Sequence, residues 1–134
     1  MAAGLLLIYP MLDDRSYVAD PALEAVATWT YDDHVTAWRS YVGAGGAASP
    51  YATPLRADDV SGLPPTYLEV GEFDIFRGEV TEFARRLLES HVPLEFHLHS
   101  SVPHAFDLFA PTAGVSQRAW QDRIRAIMLF TNKM

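Results

Sequence analysis

Two short segments hold the residues best suited to moving a proton. Gly71-Glu72-Phe73-Asp74-Ile75-Phe76-Arg77 carries a carboxylate, and Ser100-Ser101-Val102-Pro103-His104-Ala105-Phe106 carries an imidazole. An imidazole takes and returns a proton near neutral pH. A carboxylate beside it fixes its tautomer and stabilises the imidazolium it becomes. Asp74 and His104 are thirty residues apart, acid before base. Each also has a plain structural reading: Asp often turns or caps the chain after a strand, and a lone loop histidine is commonly solvated or structural. Spacing alone leaves both readings open.

The flanking elements decide whether the two can meet. Thr66-Tyr67-Leu68-Glu69-Val70 predicts a strand ending at Gly71. Residues 79–90 predict an amphipathic helix with Val80, Phe83, Ala84, Leu87 and Leu88 on one face, and Arg85, Arg86 and Glu82 off it. Residues 94–99 predict a second strand, Leu94, Phe96 and Leu98 alternating with Glu95, His97 and His99. Strand, helix, strand is a βαβ unit, whose strands run parallel through a right-handed crossover. Both loops then leave the same rim of one sheet, where such folds collect functional groups.

The remaining chain reads as more of the same layered fold. Residues 5–9 form a continuous apolar run, Leu-Leu-Leu-Ile-Tyr, suited to a parallel strand covered on both faces and ended by Pro10. Residues 11–20 are polar and irregular. Residues 21–42 carry helical spacing through Val35, Trp38, Tyr41 and Val42, with Asp32 or Asp33 as the cap. Residues 43–54 are a breaker-rich loop inside one domain spanning residues 1–134. A closing helix is expected over 115–130, with Trp120, Ile124, Ile127 and Met128 on one side.

Composition bounds the partners. The chain has 49% hydrophobic and 20% charged residues, as a folded globular domain requires. A net charge of −7 repels phosphate backbones and argues against nucleic acid. With no Cys, disulfides and thiolate metal sites are excluded. The apolar run at 4–10 is far shorter than the roughly 20 residues that span a bilayer and lacks the basic start of a signal peptide. No membrane span and a cytoplasmic location are therefore expected. His97 and His99 share one strand face and would need His91 or His104 to join them at zinc, but the spacing fixes no third ligand. A polar strand face is the expectation, with no metal. A flavodoxin- or Rossmann-type binding domain would need a glycine loop cradling phosphate after a strand, whereas Gly71-Glu72-Phe73-Asp74 places acids there.

Several motifs in order resemble one family. Leu7-Ile8-Tyr9-Pro10-Met11-Leu12-Asp13-Asp14-Arg15 resembles the strand and exit loop that follow the nucleophile helix in hormone-sensitive-lipase-like carboxylesterases of the α/β-hydrolase fold. Ser49-Pro50-Tyr51-Ala52-Thr53-Pro54 and Leu63-Pro64-Pro65-Thr66-Tyr67 continue it. Val70-Gly71-Glu72-Phe73-Asp74-Ile75-Phe76-Arg77 resembles the acid loop, and Val102-Pro103-His104-Ala105-Phe106 the histidine loop. Gly78-Glu79 departs from the family, which often has two acids there, and Gly78 is expected to loosen the start of the helix.

The resemblance implies an α/β fold that is the C-terminal portion of an α/β-hydrolase, with about three parallel strands and flanking helices. It implies Asp74 as triad acid and His104 as triad base, in the family's chain order, and no cofactor. It also implies that Trp29, Tyr31 and Phe106 bind substrate, with Trp38 an alternative that reads equally well as core. The family's His-Gly-Gly oxyanion loop and Gly-x-Ser-x-Gly elbow lie before the first strand, and none of the eight serines sits in the elbow pattern. The expectation is that this chain supplies acid and base for hydrolysis of small acyl esters, lacks the nucleophile, and is inactive alone. The alternative is an assembly module that forms a homodimer, or complements an N-terminal half, through the open edge of the strand at 5–9.

Overall fold

The computed structural model describes residues 2–15, 18–45 and 49–132. Parts of the irregular 11–20 stretch (16–17) and of the glycine-rich loop (46–48) lie outside the described residues. Three parallel strands form one sheet in the order β1-β2-β3: β1 is Leu5–Ile8, β2 Thr66–Gly71 and β3 Leu94–His99. Leu5 is in register with Thr66, and Thr66 with Leu94. β2 is central and buried at every residue.

Alternation along the strands sorts two chemically different faces. Leu68 and Val70 of β2 join an apolar core with Leu12, Val60, Phe76, Val80, Phe83, Ala84, Leu87 and Val92, and Leu7, Leu94 and Phe96 pack against it. Helix α3 (Arg77–Glu89) supplies Val80, Phe83, Ala84 and Leu87 to this core. Leu88, expected on the same face, is 60% exposed because the stripe is narrower than its i+1 neighbour. Tyr67 and Glu69 point the other way, with Glu95 and His99 of β3. There they meet helix α5 (Gly114–Thr131), whose Arg123 and Arg125 bond Glu69 and Glu95.

That second face overturns the expected orientation of the closing helix. Ser116, Ala119, Arg123 and Ala126 are its buried residues. Trp120, Ile124, Ile127 and Met128 are about half exposed or more. The helix presents small residues and one guanidinium to the sheet because the sheet face beneath it is polar.

Residues 21–42 are two helices rather than one: α1 (Pro21–Glu24) and α2 (Tyr31–Val42). Thr30 is the N-cap of α2, and Asp33 completes a reciprocal capping box with it, which stops the helix from extending backward. His34 and Trp38 are its buried residues, while Tyr41 points to solvent at 65% exposure. A further short helix, α4 (Phe106–Phe109), directly follows the histidine loop. Gly78 has open space around its α-carbon, and α3 begins before it at Arg77. Among the described residues, no helix is long and apolar enough to cross a membrane.

Candidate active site

The parallel strands bring the acid and histidine loops to one rim. Leaving β2, Glu72 N–H donates to His99 carbonyl at 2.8 Å, and Phe73 N–H to Val102 carbonyl at 3.0 Å. Gly71 lies so close to the Val102 and Pro103 carbonyls that a β-carbon would overlap them. Glu72 Oε2 accepts Ser101 N–H at 2.7 Å and the Ser100 hydroxyl at 3.1 Å, which holds its carboxyl below the usual range. The two loops are therefore stitched together by backbone and carboxylate.

Asp74 and His104 meet within this seam. His104 Nδ1 is 2.8 Å from Asp74 Oδ2. Asp74 is 1% exposed, and its other oxygen, Oδ1, accepts Phe76 N–H at 2.9 Å. One oxygen thus shapes the turn while the other faces the imidazole. The turn reading and the pairing reading of Asp74 both describe it. His104 keeps 17% side-chain exposure. Its carbonyl accepts the Thr28 hydroxyl at 2.5 Å, and the next residue, Ala105, adopts a left-handed backbone with φ 56°.

Three rings wall the imidazole: Tyr9 at 4.6 Å between centroids, Phe76 at 5.2 Å and Trp29 at 5.7 Å. Behind Phe76, His34 lies buried at 5.5 Å, and burial holds its pKa below the usual imidazole value despite nearby Asp13 and Asp14.

Of the ring residues singled out in the sequence, Trp29 is brought to His104. Tyr31 is turned elsewhere: its hydroxyl accepts Asp20 N–H at 3.0 Å, in a groove lined also by Leu23, Ile75 and Arg77. Phe106 is buried at 3% exposure against His99, 5.1 Å between rings. Trp38 is buried in α2 beside His34.

Tyr9 and Phe76 escaped sequence reasoning, although Tyr9 ends the first strand at the same rim and the same rule would have found it. Three buried charges escaped as well. Asp107 Oδ2 accepts Arg123 Nη1–H at 2.5 Å, and Glu69 Oε1 accepts Arg123 Nε–H at 2.8 Å and the Nη2 group.

His97 and His99 do not converge with His91 or His104 on a shared position. His97 Nε2 bonds Glu95 at 2.7 Å, and His99 Nε2 lies 3.3 Å from Glu69. Glu95, His97 and Asp122 bring ligand-type atoms within 4.8 Å of one another, but Arg125 already bridges Glu95 and Asp122 there.

A family model described as alpha/beta hydrolase fold matches residues 1–108. The esterase LipW from Mycobacterium marinum is 32% identical with a TM-score of 0.83, covering 96% of this chain and 40% of that one. A hormone-sensitive lipase from a metagenome library shares the fold with a TM-score of 0.84 at 23% identity, over 97% of this chain and 45% of that one. An arylesterase of Saccharolobus solfataricus is 41% identical over 59 residues, which are 43% of this chain and 19% of that protein. The chain thus spans less than half the length of each of these relatives.

Proposed function

The chain belongs to the α/β-hydrolase family, and on that premise we propose that it carries the acid–base half of a serine carboxylic-ester hydrolase. The observation that supports this most is the 2.8 Å contact between His104 Nδ1 and a buried Asp74 carboxylate at the strand ends. In that reading Asp74 holds Nδ1–H and leaves Nε2 as the base. Nε2 takes the proton of a serine hydroxyl as that oxygen attacks the ester carbonyl. It returns the proton to the departing alcohol, and water then cleaves the acyl-enzyme by the same route in reverse. Asp74 stays ionised and offsets the imidazolium charge. Small acyl esters are the substrate class, with Trp29 beside the base as the ring placed to contact them, whereas Tyr31 and Phe106 lie away from His104.

None of the eight serines is in the nucleophile pattern, and in this reading the serine and the oxyanion donors are supplied by residues outside this sequence. The 134-residue chain alone is then expected to show no turnover of p-nitrophenyl acetate above that of free imidazole. A rate lost on Asp74→Asn or His104→Ala in the isolated chain would contradict its inactivity. Co-expression with an N-terminal esterase segment bearing Gly-x-Ser-x-Gly tests the reading itself. Restored hydrolysis should fall by about four orders of magnitude in Asp74→Asn; hydrolysis indifferent to both substitutions would refute it.

A second reading, an assembly module, is favoured by the edge position of β1. Among the described residues it pairs with β2 alone, and all four of its residues are only half-buried. An open parallel edge accepts another strand, from a second copy or from a complementing N-terminal half. Sedimentation that shows a monomer at high concentration, and no complex with such a half, would dismiss it.

A further inference from the structure

Asp74 and His104 are not held by their own loops alone. Asp107 stands three residues after His104 in α4, 2% exposed, and its two oxygens have different partners. Oδ2 takes the Arg123 guanidinium at 2.5 Å, and Oδ1 accepts the Tyr9 hydroxyl at 3.2 Å. The Tyr9 ring meets the imidazole of His104 edge-on, 4.6 Å between centroids with the planes at 65°. Arg123 is anchored from the far side by Glu69 of the central strand. Glu69 in turn accepts the Tyr67 hydroxyl at 2.5 Å and lies 3.3 Å from His99 Nε2. A continuous line of contacts therefore runs from the middle of β2, through α5 and α4, to the face of the imidazole.

Two further observations mark this line as more than packing. Tyr9 has φ 35°, a left-handed backbone that its β-carbon disfavours, and in that conformation its ring lies against His104. Ala105, between His104 and α4, is left-handed as well. Such conformations persist where surrounding contacts over-determine them, and they gather at functional sites. Among the three rings around His104, Tyr9 is the one whose tip hydrogen-bonds this buried charge cluster. Phe76 has no polar tip, and the Trp29 indole N–H is buried without a hydrogen-bond partner.

We propose that Arg123, Asp107 and Tyr9 are positioning residues for His104. Arg123 fixes the Asp107 carboxylate, Asp107 fixes the Tyr9 hydroxyl, and the Tyr9 ring blocks rotation of the imidazole away from Asp74. The inference rests on the reading of Asp74 and His104 as an acid–base pair. None of the three positioning residues need touch substrate.

The test is NMR of the full chain labelled with 15N-histidine, the His104 signals being identified by their loss in His104→Ala. The readouts are the low-field Nδ1 proton, its exchange rate with water, and the tautomer balance from the ring 15N shifts. Tyr9→Phe keeps the ring and removes only the hydroxyl. It is expected to raise Nδ1 proton exchange about tenfold, the scale of one lost hydrogen bond, with the urea midpoint at neutral pH lowered by no more than that one bond. Asp107→Asn should raise exchange as much, and it also lowers the urea midpoint because Arg123 loses a buried counter-charge. Arg123→Met should do more, with partial recovery in Arg123→Lys. A purely structural role would move exchange only in step with the urea midpoint.

If Asp74→Asn abolishes the low-field proton but Tyr9→Phe leaves its exchange within about twofold of the parent, less than one hydrogen bond is worth, the relay is overturned and the acid–base pair stands. Should Asp107→Asn or Arg123→Met fail to fold, Tyr9→Phe decides alone. If the parent chain shows no such proton at His104, both the relay and the pair are overturned.

Discussion

Gly71 and Val102 approach so closely that no side chain fits between them. One residue ends the central strand and the other opens the histidine loop, so their contact sets how far Asp74 sits from His104. Gly71→Ala must push the Val102–Pro103 backbone outward. Overpacking of this kind costs about 1–3 kcal/mol. Thermal unfolding should show that loss, together with a weakened His104–Asp74 hydrogen bond. A variant as stable as the parent, with the bond intact, would mean that the seam yields easily.

Arg123 lies between two carboxylates at 2% side-chain exposure, with Glu69 and Asp107 at 0% and 1%. Arg123→Met leaves both carboxylates buried without a counter-charge. The expected loss is about 3–5 kcal/mol by urea denaturation, the usual cost of stripping one partner from a buried ion pair. Replacing all three by Met, Gln and Asn together should restore part of it.

The same cluster sets the pH range of stability. Burial alone would raise the carboxyl pKa values of Asp107 and Glu69. Hydrogen bonds from Arg123 and its charge outweigh burial at Asp107. At Glu69 the bonds from His99, Arg123 and Tyr67 do so. Both carboxyls are held below their usual range. A depressed carboxyl contributes stability that is complete above its unfolded pKa and is lost as pH falls through its folded one. Unfolding free energy should therefore decline on the acid side of the ordinary carboxylate range. His34, neutral in the fold because burial lowers its pKa, adds a decline from below its ordinary pKa near 6.5. At the alkaline end, burial and then the Asp107 charge push Tyr9 from 10.0 up to about 12. Its contribution is complete below pH 10 and disappears as pH rises toward 12. Tyr9→Phe should flatten that alkaline limb in a pH series of urea unfolding curves.

Glu79 joins α3 to the loop after β1. Its Oε1 accepts Leu12 N–H at 2.6 Å and Asp13 N–H at 3.4 Å, and the residue is 6% exposed. Glu79→Ala should cost about 1–3 kcal/mol by leaving buried backbone donors unpaired. Amide hydrogen exchange at Leu12 and Asp13 should rise in the same variant.

What could be read from sequence followed from periodicity with a clear partner. Leu94, Phe96 and Leu98 alternate with Glu95, His97 and His99, and the strand spans 94–99 with Leu94 and Phe96 against the core, although Leu98 at the outer end is 50% exposed. The parallel βαβ unit follows from chain order, and strand direction puts the two loops at one rim; the resemblance to the esterase family is what singles out Asp74 and His104 within them. What escaped has two physical sources. Pattern reasoning assumes that helices bury their apolar stripe and sheets hide their apolar face. Here the buried side of α5 is Ser116, Ala119, Arg123 and Ala126, with Arg123 matched to Glu69 on β2 and Asp107 on α4. The split of 21–42 was missed for a local reason: Thr30 and Asp33 form a capping box inside a run whose apolar spacing looked continuous.

The outward stripe of α5 supplies a further expectation. Ile124→Lys and Met128→Glu should change stability by no more than about 0.5 kcal/mol, as for ordinary surface positions, whereas Ala119→Leu, at 0% exposure, should cost about 1–3 kcal/mol. Chemical denaturation of the three variants separates the two faces of the helix.

An 18-residue helix laid on a purely oily sheet has many nearly equivalent seats. Arg123 removes that freedom. A shift of one turn, about 5.4 Å, would carry its guanidinium out of bonding range of Glu69 and of Asp107 at once. The helix can lock only at the depth where three distant segments agree, and the imidazole inherits its place from that lock.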